Sequence, residues 1–97
     1  MAFNIVWSKT ANETLYNLTE FLAESWNEKV IVRFVDKVYK SVEMLEDFPE
    51  LGRIHDLQKG IRVLLIRPYT NLFYRIDGSN VVLIEFIDTR TDPESNN

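Results

Sequence analysis

Three apolar runs rich in β-branched and aromatic residues fill the second half of the chain and limit the folds open to it. They span residues 60–66, 71–77 and 81–87. Such residues favour strands, and residues 77–80, Asp-Gly-Ser-Asn, have the composition of a hairpin turn. Pro68 cannot donate a ladder hydrogen bond, so it separates the first two runs. The sequence therefore predicts a three-stranded antiparallel meander.

Both faces of this meander carry apolar side chains. A two-residue turn would place Phe73 opposite Ile84 and Asn71 opposite Phe86. One face then carries the candidate partner-facing residues Phe73, Val82, Ile84 and Phe86. The other carries Leu72, Tyr74, Ile76, Val81, Leu83 and Ile87. One helical layer covers only one face of the sheet, so the apolar side chains of the other face predict a protein partner. The alternative is that the twist of the sheet shields these side chains from solvent.

The first half of the chain predicts one strand and two helices. Residues 3–7 form a strand, and Ser8 or Thr10 can cap the helix that follows. Apolar residues of the first helix recur at helical spacing at Ala11, Leu15, Leu18, Leu22 and Trp26. Ser25 and Glu28 have capping-box spacing, which predicts a break near Trp26 and a second helix. We expect both tryptophans, Trp7 and Trp26, in the core.

The end of the helical region is set by residues 48–52. Pro49 disfavours helix at Phe48, and Gly52 permits a positive φ. A loop to about Lys59 is expected, with His55 in solvent. The predicted fold is α+β: an N-terminal strand, a helical hairpin and a three-stranded antiparallel meander (β-α-α-β-β-β), with the helices packed on one sheet face. We expect one domain over residues 1–97, with residues 91–97 as a flexible tail.

The composition limits the kinds of functional site that the chain can form. The chain has no cysteine, which excludes thiol nucleophiles and thiolate metal sites and fits a reducing compartment. His55 is the one histidine, and nothing around it has metal-ligand spacing, so we predict no metal and no cofactor. The first ten residues do not have the pattern of a signal peptide, and no apolar run is long enough to span a membrane. We therefore expect a cytoplasmic protein without a membrane partner.

Charge is divided unevenly along the chain. The net charge is −4, yet residues 53–90 hold six basic and four acidic side chains. An anion-seeking surface should thus lie in the second half, although a pI near 4.9 argues against direct nucleic-acid binding. A basic stripe on the second helix, at Lys29, Arg33, Lys37 and Lys40, is interpreted as a solvated face.

Several segments together resemble the RelE/ParE superfamily of type II toxins. They are the strand and helix start from Ile5 to Leu18, and the segments FPELGR (48–53), GIRVLLI (60–66), YRI (74–76) and DTRTDP (88–93). The resemblance covers residues 4–93 and depends on the order and spacing of these segments. It implies a toxin held inactive by a cognate antitoxin, and it leaves a homodimer or a heterotetramer with the antitoxin open.

The superfamily has two activities, and the residues favour the ParE-like one. RelE-like members cleave mRNA on the ribosome, which requires cations and proton carriers around the scissile phosphate. Arg67 and Arg90 match that pattern, but Thr70-Asn71 replaces a tyrosine-arginine pair, and Asp88 and Asp92 flank Arg90. ParE-like members instead inhibit DNA gyrase by protein contact. A non-toxic relative that only binds a partner is the third alternative.

Five residues are candidates for contact with a target or partner. They are Arg62, Arg67, Tyr69, Arg75 and Arg90. If the protein is a nuclease, Arg67 and Arg90 are its catalytic candidates. The structural alternative is that strand arginines pair with nearby acids such as Glu85 or Asp88, and that Tyr69 packs in its loop.

Overall fold

A computed structural model of the chain describes residues 2–90. Its elements are β1 (Asn4–Trp7), α1 (Lys9–Ser25), α2 (Glu28–Asp47), β2 (Arg53–Asp56), β3 (Ile61–Ile66), β4 (Thr70–Asp77) and β5 (Asn80–Asp88). The predicted α+β class is confirmed, and so are the helical hairpin and the β3-β4-β5 meander. The tail at 91–97 lies outside the described residues.

The sheet has five strands in the order β1-β5-β4-β3-β2, where the sequence predicted a meander of three. β1 joins it parallel to β5, with Ile5 beside Val81 and Trp7 beside Leu83. The long β5 thus becomes an inner strand between β1 and β4. The predicted alternation of apolar residues could not reveal this pairing, because strand partners distant in sequence leave no local signal.

The predicted loop after Gly52 is wrong, because Arg53–Asp56 forms the edge strand β2. It pairs antiparallel with β3, with an irregularity between Ile54 and Asp56. The sequence Arg-Ile-His-Asp has only one β-branched residue, Ile54, which is a weak strand signal, but an edge strand needs only one neighbour. His55 therefore lies on a strand, and its ring packs edge-on against Phe73 at 4.9 Å between centroids.

A β-bulge in β5 overturns half of the predicted register. Arg75 lies opposite Val82 as expected, but the pairing shifts after Tyr74, so that Phe73 faces Glu85 and Leu72 faces Phe86. An unbulged ladder would have paired Leu72 with Glu85 and directed a carboxylate into the core beneath α1. Burying an unpaired charge is costly, and the extra residue at Ile84 avoids it.

The helices cover the sheet face of Leu72 and Tyr74. Buried residues from α1, α2 and three strands form one cluster: Ala11, Leu15, Val38, Val42, Leu45, Ile66, Leu72, Tyr74, Val81, Leu83 and Phe86, with Ile5 and Trp7 of β1 packed against it. Trp7 is partly buried and packs against this core, in line with its predicted place there. Trp26 does not belong to the core, since 54% of it is exposed.

Side-chain caps explain where the helices begin. The Ser8 hydroxyl accepts a hydrogen bond from the Ala11 N–H at 2.9 Å, and the Asn27 side chain accepts one from the Val30 N–H at 3.1 Å. Each residue satisfies a backbone donor that has no partner within its helix. The predicted break between the helices is confirmed, with Asn27 as the cap in place of Ser25.

Gly52 is required for space, and not for the positive φ that a glycine permits. Positive φ occurs at Gly60 and Gly78 only, within residues 2–90. A Cβ on Gly52 would lie 2.7 Å from the Tyr74 hydroxyl oxygen. That hydroxyl accepts a hydrogen bond from the Gly52 N–H at 2.8 Å and donates one to the Pro49 carbonyl at 2.7 Å. One buried tyrosine thus holds the turn between α2 and β2.

Replacing Tyr74 by phenylalanine should lower the free energy of unfolding by about 1–3 kcal/mol, because two backbone groups lose their buried partner. Denaturant unfolding measures the change. Tyr16→Phe is the matched control, since Tyr16 is 63% exposed. Equal losses in the two variants would contradict the assigned role of the Tyr74 hydroxyl.

Candidate partner-binding site

An open groove lies between the tip of the helical hairpin and the turn that joins β3 to β4. We call it the hairpin groove; its volume is about 350 Å³. Its lining residues are Leu18, Leu22, Trp26, Val30, Arg33, Phe34, Lys37, Arg67, Pro68, Tyr69, Thr70, Asp88 and Arg90. The walls are mostly apolar and the rim carries cations, so the groove suits an amphipathic protein surface.

The groove exists because the apolar stripes of the two helices continue past the core. Leu15 and Val38 are buried in the core, whereas Leu22, Trp26 and Val30 near the tip line the groove. The sequence pattern predicted a continuous core stripe on α1. It could not show that the stripe is longer than the core cluster that it packs against.

Three of the candidate residues meet in this groove. Arg90 lies over the Tyr69 ring, 4.2 Å from the guanidinium carbon to the ring centroid. Its Nε donates to Asp88 Oδ1 at 3.1 Å, and its Nη2 donates to Oδ2 at 2.7 Å. The Thr89 N–H donates to the Tyr69 carbonyl at 2.6 Å. Arg67, the third candidate, lines the same groove from the turn after β3. We call Tyr69, Asp88 and Arg90 the Arg90 cluster.

Asp88 holds Arg90 as a fully formed ion pair. The carboxylate is 7% exposed and receives both guanidinium hydrogen bonds, an arrangement that is stronger than a single contact. Hydrogen bonds from the Arg90 side chain are the main reason that the pKa of Asp88 lies below its ordinary value of 3.8, against the opposing effect of burial. The Arg90 charge is therefore largely neutralised from within the chain.

Other cations of the rim lack such a partner. Arg33, Lys37 and Arg67 line the groove, and no salt bridge within residues 2–90 involves any of them. Arg33 and Lys37 were predicted to belong to a solvated stripe, and their position at the groove was not predicted. The only available signal was their spacing on the same helix face as Val30.

Arg62 and Arg75 do not join the groove. The Arg62 Nη1 donates to the Gly52 carbonyl at 2.8 Å, so this arginine supports the turn that Tyr74 also holds. Arg75 lies opposite Val82 on the uncovered sheet face and approaches Asp77 at 3.9 Å rather than Glu85 or Asp88. Asp92, expected beside Arg90, lies outside the described residues.

The uncovered side of the sheet, here called the outer face, is a second candidate surface. Val82 and Phe73 lie on it in the observed register, and Ile84 projects away from the core at the bulge. All three are half-buried and lie outside the core cluster. Phe86 was predicted to join them, and that prediction is wrong, because the bulge turns it into the core, where it is 2% exposed. Val6 on β1 instead extends the outer face.

Other kinds of site find no basis in the described residues. Within residues 2–90, no three metal-ligating side chains cluster, and neither helix is long and apolar enough to cross a membrane. His55 lies beside the start of β3, whereas Arg67 follows its end, a separation of roughly 17 Å along the strand. No histidine therefore accompanies the Arg90 cluster.

A family model described as the ParE toxin of the type II toxin-antitoxin system, parDE, matches residues 5–93. The match includes both helices and nearly all of the sheet. The chain belongs to this family of ParE toxins. The resemblance inferred from the sequence is thus confirmed, including its ParE-like placement.

Solved structures share the fold at low sequence identity. The chromosomal ParDE toxin–antitoxin system of P. aeruginosa superposes with a TM-score of 0.78 at 14% identity, over 90% of this chain and 96% of that chain. The RelBE2 toxin–antitoxin complex of Mycobacterium tuberculosis gives 0.61 at 17%, over 91% and 99%. The YoeB/ParE toxin of Agrobacterium tumefaciens gives 0.58 at 18%, over 88% and 97%. A search of curated protein sequences finds no match.

Removing the Asp88 charge should destabilise the protein in a pH-dependent way. At neutral pH, Asp88→Asn should lower the free energy of unfolding by about 1 kcal/mol, because the buried carboxylate that receives two hydrogen bonds from the partly exposed Arg90 is lost. The pKa of Asp88 is lowered, so its stabilising effect is complete above pH 3.8 and is lost as pH falls through the folded-state pKa. Unfolding of both proteins between pH 7 and pH 2 measures the difference, which should shrink below pH 3.8. A constant difference would contradict the role of the charge.

Proposed function

We propose that this ParE-family toxin inhibits DNA gyrase by protein contact and is neutralised by a cognate antitoxin that covers the outer face of its sheet. The observation that carries the first half is the Arg90 cluster. Arg90 is held by a buried carboxylate and stacked on Tyr69, so the groove presents a fixed, mostly apolar surface with a cationic rim. Such a surface fits a folded protein better than a reacting phosphate.

RNA cleavage would require chemistry that the described groove residues supply poorly. A 2′-hydroxyl must lose a proton while the leaving oxygen gains one, and cations must stabilise the added negative charge. Tyr69 is the one phenol of the groove, and Arg90 covers its ring. Arg90 is itself neutralised by Asp88. The phenol and the guanidinium at the centre of the groove are thus engaged with each other and with Asp88, which disfavours a role for them in proton transfer to or from RNA.

Net charge supports the same choice. Docking on ribosomal RNA depends largely on neutralising phosphates, and a chain of net charge −4 is poorly suited to it. Binding to a protein surface does not require a net positive charge. The three rim cations without salt bridges would match acidic side chains on a protein partner equally well.

The antitoxin assignment rests on the outer face. Phe73, Val82 and Ile84 are only half-buried on a sheet side that no described helix covers. Burying about 400 Å² of such surface would contribute about 10 kcal/mol before the costs of association. The P. aeruginosa and M. tuberculosis relatives are described as toxin–antitoxin systems, which supports a partner of this kind here.

RNA cleavage remains the second candidate because of Arg67. This arginine forms no salt bridge within residues 2–90 and lines the groove with Arg33 and Lys37. Three cations around one groove could contact a phosphate backbone. Mapping of 5′ ends in translated messages after induction separates the activities, since a ribosome-dependent nuclease leaves codon-phased cuts and a gyrase inhibitor leaves none.

Purified toxin should block supercoiling by DNA gyrase, and Arg67→Gln should weaken that inhibition about tenfold or more if the rim cation meets an acidic surface of the target. A plasmid supercoiling assay with increasing toxin measures it. Arg53→Gln is the matched control, because Arg53 is an exposed arginine on the edge strand β2. Normal supercoiling at saturating toxin, together with unimpaired growth of expressing cells, would indicate a non-toxic binding module.

Val82→Glu should weaken binding of the antitoxin at least about tenfold, because it places a charge in a desolvated interface. The partner to use is the protein encoded by the reading frame beside the toxin gene, and calorimetry gives its affinity. Val32→Glu introduces the same charge on the solvent side of α2, where Val32 is 60% exposed. Equal affinities for the two variants would show that the antitoxin does not cover the outer face.

A further inference from the structure

The Thr14 side chain links α1 to the bulged strand β5 without lining the hairpin groove. Its Oγ1 donates to the Thr10 carbonyl at 2.8 Å and accepts from the Phe86 N–H at 2.9 Å. Thr19 on the same helix donates to the Tyr16 carbonyl at 2.7 Å, but no strand amide donates to it within the described residues. Thr14 therefore makes a helix-to-strand bond that an ordinary helical threonine lacks.

The position of this bond explains its importance. β1 ends at Trp7, beside Leu83, so within residues 2–90 β5 has no strand neighbour on that side where the bulge occurs. Two hydroxyl groups at the start of the first helix take the place of the missing strand. Ser8 Oγ donates to the Ile84 carbonyl at 2.9 Å, and Thr14 accepts from Phe86. The backbone groups on both sides of Glu85 thus have hydrogen-bond partners in α1 and in its cap residue.

The bulge also decides which way the end of β5 faces. After the extra residue, Phe86 and Asp88 point to the helix-covered side and Ile87 to the outer face. Alternation without the bulge would turn Asp88 to the outer face. Arg90 would then lose the carboxylate that holds it over Tyr69.

We propose that Thr14 is a positioning residue of the Arg90 cluster: by accepting the Phe86 N–H it fixes the bulge, and so places Asp88 where it receives Arg90. Thr14 acts through the strand and does not touch the partner. The consequence for gyrase inhibition rests on the function proposed above, whereas the consequence for Asp88 does not.

The test compares Thr14→Val with Thr14→Ser and Thr19→Val in the full-length protein. Valine keeps the shape of threonine and removes the acceptor, whereas serine keeps it. In Thr14→Val, the Phe86 amide should exchange with solvent about tenfold faster or more, and the pKa of Asp88 should rise toward 3.8. Thr14→Ser and Thr19→Val should keep the low Asp88 pKa. Carbon-13 NMR titration of the carboxyl group gives this value directly.

The proposal is overturned if folded Thr14→Val keeps the wild-type Asp88 titration, or if Thr19→Val changes it equally. If Thr14→Val does not fold, the wild-type protein decides: rapid exchange of the Phe86 amide overturns the proposal, and a protected amide beside an observable Thr14 hydroxyl proton supports it. A changed Asp88 titration with unchanged gyrase inhibition would support the positioning role and contradict the use of the cluster in gyrase contact.

Discussion

The register of β5 on β4 is the constraint on which both candidate surfaces depend. A straight ladder would place Glu85 beneath α1, and the extra residue at Ile84 turns that carboxylate outward. The same shift places Phe86 in the core and Asp88 on the helix-covered side. A single inserted residue thus determines the composition of the outer face and the charge state of the hairpin groove together.

The helical hairpin forms one wall of the hairpin groove because it extends beyond the core that it covers. Its base packs through Leu15 and Val38, while Trp26 at the tip is left to line the groove. The turn between β3 and β4 supplies the facing wall through Tyr69. Hydrophobic burial holds the base of the hairpin, and what the tip exposes is available to a partner.

Much of the fold could be predicted from the sequence, because period and turn chemistry are local properties. Two amphipathic helices, the break before Asn27 and the turn at Gly78 all follow from short windows. The bulge could not be predicted from alternation alone, because alternation assigns successive residues to opposite faces and ignores the cost of burying Glu85. The free-energy cost of an unpaired carboxylate in the core would have indicated that the ladder is bulged. β2 and the parallel pairing of β1 depend on distant partners and leave no such signal.

The candidate site was predicted in part. Arg67, Tyr69 and Arg90 do meet, although they were selected by resemblance and charge. The sequence places Asp88 two residues before Arg90, which suggested that the two charges offset each other. The geometry of this ion pair depends on the bulge, which sets the sheet face of Asp88. The central claim is that this pair leaves Arg90 unavailable to phosphate. A nitrogen-15 NMR titration of the toxin with a short single-stranded RNA tests it directly. The Arg90 Nε signal should stay unshifted up to millimolar RNA, and a saturable shift at Arg90 would contradict the account.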